Sequence, residues 1–127
     1  MSKFVTFEIA KKLKEKGFTL GYNLYGYRPI YKNINTIALI WDIGAYEKDY
    51  FGENIPCPTI SQVLEWLRDE KKLYILPNDI LIKGNIKWDV QIDDLNTSNT
   101  IHESRLIYTS FEEASLAGIN YVLDNLI

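Results

Sequence analysis

Residues 110 to 127, SFEEASLAGINYVLDNLI, read as a helix that is apolar around nearly its whole circumference, and this constrains the fold more than any other stretch. At about 100° per residue, Glu113, Asn120 and Asp124 gather in one narrow polar stripe, while Phe111, Leu116, Ile119, Tyr121, Val122, Leu123, Leu126 and Ile127 fill most of the rest. Such a helix cannot lie with one broad side in water. It has to pack on a sheet with other elements beside it, or meet another chain. Its start is equally legible: Ser110 and Glu113 fit a capping box, in which each side chain satisfies a free backbone N–H of the first turn.

A chain of 127 residues is the size of one ordinary domain, so one hydrophobic core is expected. With 46% hydrophobic and 24% charged residues, the composition is globular and far from the mixtures that stay disordered. The single cysteine, Cys57, excludes a disulfide framework and suits a reducing cytoplasm. The opening MSKFVTFEIAKKLKEKG mixes charge with apolar residues from the start, so no secretion signal is expected there. The longest apolar run, Ile37 to Trp41, is far short of the roughly 20 residues that cross a bilayer. A cytoplasmic protein without membrane association is the expectation. The net charge of −3 gives no overall attraction to nucleic acid.

Helix one is predicted over residues 6–16, with Thr6 as N-cap and Gly17 as the left-handed stop, which pairs Leu13 with Phe18 as in a Schellman motif. Residues 18–43 turn aromatic and β-branched, broken by Gly21, Gly26 and Pro29, and predict two or three strands. The clearest is 36–43, apolar on both faces and therefore expected at the centre of a sheet. Residues 44–58 have no period and predict a long loop. Helix two is predicted over 59–71, where Thr59 and Gln62 fit a second capping box and Ile60, Val63, Leu64 and Leu67 line one face.

After it, Leu73 to Leu76 predicts a short strand and Pro77-Asn78-Asp79 a turn. Gly84-Asn85 predicts a type II′ hairpin that sets Lys83 against Ile86 and Leu81 against Trp88. In the second arm Ile86, Trp88, Val90 and Ile92 alternate with Lys87, Asp89, Gln91 and Asp93, giving one buried and one wet face. Residues 94–99 are polar loop, His102 follows in a further loop segment, and Arg105 to Tyr108 can form a last strand. The expected fold class is α+β: a single domain, 1–127, with a mostly antiparallel sheet of about four to six strands. Helices 6–16, 59–71 and 110–127 are expected mainly on one face.

Tyrosine is the compositional oddity. Tyr22, Tyr25, Tyr27 and Tyr31 fall within ten residues, with Arg28 among them, and Tyr46, Tyr50 and Phe51 follow in the predicted loop. Tyrosine offers large contact area with little side-chain entropy to lose, so the group is a candidate recognition surface. The plainer reading makes them amphipathic residues at a sheet rim, covering the core with their hydroxyls in water.

Cys57 would need His102 or a positive field to become a nucleophile, and nothing local supplies either. Asp89 and Asp93 share a strand face but stand roughly 13 Å apart at ~3.3 Å per residue, too far to ligate one ion together. No metal site and no cofactor are expected. Phosphate-cradling glycine loops, a nucleophile elbow and a serine triad all lack their parts.

Three segments, TFEIAKKLKEKGF, PTISQVLEWLRDEKKLYI and SFEEASLAGINYVLDNLI, resemble a group of small uncharacterised proteins of Bacteroides-type gut bacteria and their phages and prophages. The resemblance covers less than half of the chain. It implies a phage or mobile-element context, and it carries no activity and no functional residues. The leading expectation is a non-enzymatic accessory protein that binds a macromolecular partner through the tyrosine group. A binder of a small nucleotide-like ligand, with Arg28 or Lys32 meeting phosphate, is the second. A homo-oligomer joined through the C-terminal helix is the third.

Overall fold

The computed structural model describes residues 3–19, 27–33, 36–41 and 55–127. These form an α+β fold with the elements α1 Phe7–Glu15, β1 Tyr27–Asn33, β2 Thr36–Trp41, β3 Ile55–Pro56, α2 Ile60–Glu70, β4 Leu73–Ile82, β5 Asn85–Asp94, β6 Asn99–Tyr108 and α3 Phe111–Asn125. The pairings are antiparallel, as expected, and make two three-stranded sheets, β2-β1-β3 and β4-β5-β6. The described residues gather into two compact units, Phe4–Thr59 in one and Met1–Lys3 with Ile60–Ile127 in the other. Among them no helix is long and apolar enough to cross a membrane.

In the unit Phe4–Thr59, α1 begins and ends as its sequence requires. The Thr6 hydroxyl accepts from Ile9 N–H at 3.3 Å, satisfying a donor that the first turn leaves open. At the other end Gly17 takes φ +87°, Phe18 N–H donates to Leu13 C=O at 3.0 Å and Gly17 N–H to Lys14 C=O at 3.2 Å. That is the Schellman pair of bonds. α1 lies against β3, and Ile9, Ala10 and Leu13 are its buried side chains.

Two expectations change in this unit. Among the described residues β2 is an edge strand and β1 is the centre, flanked by β2 and β3. The predicted loop 44–58 also ends in sheet structure, because Ile55 and Pro56 pair with Tyr31 and Ile30. A two-residue strand has no periodicity to detect, so only its partner reveals it.

In the other unit α3 lies across β4, β5 and β6, with α2 against β4 and α3. Ser110 caps α3 by accepting from Glu113 N–H at 3.1 Å. Glu113 reaches one residue further back than a capping box predicts, accepting from the N–H and hydroxyl of Thr109 at 3.0 and 2.7 Å. These bonds hold its carboxyl below the usual range.

The buried face of α3 is Ala114, Ser115, Gly118, Ile119, Val122 and Leu123. It is built from small residues where the sheet comes closest. A Cβ on Gly118 would stand 2.8 Å from Ile75 Cγ2 and 2.9 Å from Val90 Cγ2, inside van der Waals contact. Glycine here sets the spacing between helix and sheet. Ser115 is fully buried, and its hydroxyl has no hydrogen-bond partner.

Candidate interaction surface

The β4–β5 ladder runs without a bulge from Leu73↔Asp94 to Ile82↔Asn85. Its turn is therefore Lys83-Gly84, with φ +50° and +81°, where the sequence predicts Gly84-Asn85. Positive φ at both central residues is the type I′ geometry, which matches the twist of the arms. The tertiary reason for this register is Ile75, which now faces Ile92 with both nearly sealed from water, whereas the predicted register would have set it against Asp94. Leu81 accordingly faces Ile86 and not Trp88.

The predicted turn at 77–79 is likewise absent, and β4 continues straight through Pro77. Strand pairing explains why. Residues flanking a two-residue turn exchange both hydrogen bonds, so even-numbered β4 residues point their N–H and C=O at β5 and odd-numbered ones point away. The far end agrees, since Leu95 N–H donates to Lys72 C=O at 2.9 Å. Pro77 is odd-numbered and lies on an edge strand, where a missing N–H costs no ladder bond.

A ten-residue strand reaches about 33 Å and a fifteen-residue helix about 22 Å, so α3 cannot cover the whole ladder. It covers the end where Ile75, Val90 and Ile92 are buried. Phe111 marks its limit, packing edge-on against Trp88 at 5.8 Å between ring centres. Beyond that limit aliphatic side chains stand in water on both faces: Leu81 is 68% exposed, Ile86 54%, Ile80 50% and Ile82 38%. On β6, Ile107 is 65% and Leu106 38% exposed. Single exposed aliphatics are ordinary, whereas a run of them at one end of a sheet is the composition of an interface.

On the face of this sheet where Ile80 lies, a cavity of about 360 Å³ is lined by Asn78, Asp79, Ile80, Asp89, Glu103, Arg105 and Leu106. Asp79, Asp89 and Glu103 outnumber Arg105, whose guanidinium is exposed and 3.9 Å from Glu103. One carboxylate oxygen of Asp89 is buried with no hydrogen-bond partner. The lining repels phosphate, which does not suit a nucleotide. Further along, Asp93 accepts from Gln91 at 2.9 Å and from Thr100 at 2.8 Å, a polar network that keeps that face wet. Among the described residues no three His, Cys, Asp or Glu side chains converge as metal ligands.

His102 is not in a loop. It sits in β6 opposite Ile92, stacks on Tyr121 of α3 at 3.6 Å and 14°, and meets the Ser104 hydroxyl at 3.2 Å. A half-buried histidine held this way is a packing element. Cys57 is fully buried, and burial pushes its thiol up to about 11, the wrong direction for a nucleophile.

Of the predicted tyrosine surface, Tyr22, Tyr25, Tyr46, Tyr50 and Phe51 lie outside the described residues. Tyr27 and Arg28 lie on β1 opposite Trp41 and Ile40, and their side chains lie outside the described set. Tyr31 departs from the expectation: it is 8% exposed, packs edge-on against Phe7 at 5.4 Å and donates its hydroxyl proton to Val5 C=O. Burial, with the Cys57 thiol beside it adding to the effect, makes this hydroxyl a far weaker acid than an ordinary phenol. Alternation in sequence does not reveal the hairpin end, because it marks Ile86 for a core in the same way as Val90 and Ile92. The available signal was length, a strand pair longer than the helix that must cover it.

Comparison of the chain with protein-family models, curated proteins and solved structures gives no match.

Proposed function

We propose that this chain is a non-enzymatic interaction protein of phage or prophage accessory type, which binds a macromolecular partner. The observation that carries the reading is the apolar end of β4-β5-β6, where Ile80, Leu81, Ile82, Ile86 and Ile107 are exposed beyond the reach of α3. An aliphatic cluster rimmed by Asp79, Lys83, Lys87 and Arg105 has the apolar centre and charged border of a protein–protein contact. The mobile-element context is supported by the resemblance of the three helical segments. The tyrosines at 22, 25, 27, 46 and 50 remain a second candidate surface on sequence grounds alone.

The test compares two full-length variants in capture of host proteins followed by mass spectrometry. Leu81→Asp with Ile107→Asp removes the hairpin-end surface, and Tyr25→Ser with Tyr27→Ser and Tyr50→Ser removes the tyrosine surface. Loss of a specific partner in the first variant alone supports the hairpin end. Loss in the second alone moves the surface to the tyrosines, and unchanged capture by both removes the reading.

A further inference from the structure

We propose that the occupant of the β4 edge is a second copy of the same strand, paired antiparallel about a two-fold axis at Leu81. The proposal rests on the interaction reading above and names the partner. β4 and β6 are the two edges of their sheet. β6 is blunted by register shifts and by Leu106 at φ +47°, which discourage further pairing. β4 has no bulge, and Asp79 and Leu81 are odd-numbered, with N–H and C=O turned to the open side.

A two-fold axis requires paired positions to be symmetric about one residue, so few registers exist and side-chain chemistry chooses among them. Centred on Asp79, the pairing sets carboxylate against carboxylate. Centred on Ile80, it buries Asp79 against Leu81 of the other copy. Centred on Leu81, it sets Leu81 on Leu81, Ile80 on Ile82 on the opposite face, and it ends each side with Asp79 beside Lys83, the first residue of the other copy's turn, whose long side chain can reach the carboxylate. Only this register matches apolar with apolar and charge with opposite charge. It also matches the hydrogen bonds, because Leu81 of each copy donates to and accepts from its counterpart. Pro77 then lies outside the paired segment and obstructs nothing.

Sedimentation of the full chain from micromolar to millimolar concentration should show a reversible monomer–dimer equilibrium. Asp79→Lys and Lys83→Asp should each weaken it about tenfold, by turning the attraction between Asp79 and the other copy's turn lysine repulsive at both ends, and the double exchange should restore it. Amide exchange gives a second readout that does not depend on a variant folding. Protection of Leu81 N–H should rise with concentration, while Ile80 and Ile82, already bonded to β5, should not change. A monomer at every concentration overturns the proposal, as does a dimer indifferent to either charge reversal or a double exchange weaker than both single ones. A monomeric chain whose capture of a host protein is still lost with Leu81→Asp and Ile107→Asp overturns self-pairing and leaves the interaction reading intact.

Discussion

The two ends of the β4–β5 ladder share one strand pair, one alternation and one residue vocabulary, yet only one end is a core. At the Leu73 end Ile75 faces Ile92, α3 lies on top, and Gly118 brings helix and sheet to the closest approach that Ile75 and Val90 allow. At the turn end Leu81 faces Ile86 with the same apolar pairing, and both are in water. The difference is not in the strands. It lies in the length of the helix, and it teaches that alternation marks a face that can be buried without saying what buries it.

Substitutions at the two ends should therefore differ in cost. Ile119→Ala removes a side chain that is completely buried on the inner face of α3 and should lower unfolding free energy by about 2–5 kcal/mol in denaturant titration. Gly118→Ala should cost about 1–3 kcal/mol by forcing α3 off Ile75 and Val90; a neutral result would show the covered end to be as loosely packed as the open one. Ser110→Ala should cost about 1 kcal/mol through loss of the bond to Glu113 N–H, without touching either end. Leu81→Ser should change monomer stability by no more than about 0.5 kcal/mol, the smallest of these effects, although its apolar bulk matches that of Ile119.

Thiol chemistry sharpens the same contrast between sealed and open positions. Cys57, with its thiol raised from 9.0 to about 11, should resist a maleimide in the native state, whereas Leu81→Cys should react at once. A group whose folded value is raised contributes stability below its unfolded value and loses it as pH climbs through the folded one. Burial of Cys57 should thus stabilise the fold fully below pH 9.0 and progressively less toward pH 11. Thermal melts across that window would show it.

Much of the local structure was readable in advance, and each legible piece is governed by neighbours in sequence. Thr6, the Leu13–Gly17–Phe18 stop and Ser110 are fixed within a turn of helix, where a few residues supply both the open backbone groups and their partners. The alternation of β5 was equally clear. Pro77, His102 and Tyr31 were misplaced for the opposite reason. A proline is permitted by which edge it faces, a histidine is ordered by a tyrosine on another element, and a tyrosine is hidden by Val5 and Phe7, more than twenty residues earlier in the chain.

The sequence alone determined where helices begin and end, which strand faces can be apolar, and that the last helix must be packed. Tertiary structure alone decided the hairpin register, the division of the strands into two sheets and the place where covering stops. Capping and periodicity are short-range and act within one element. Burial depends on the relative reach of elements distant in the chain, and a fifteen-residue helix over a ten-residue ladder leaves its excess of aliphatic surface at the turn.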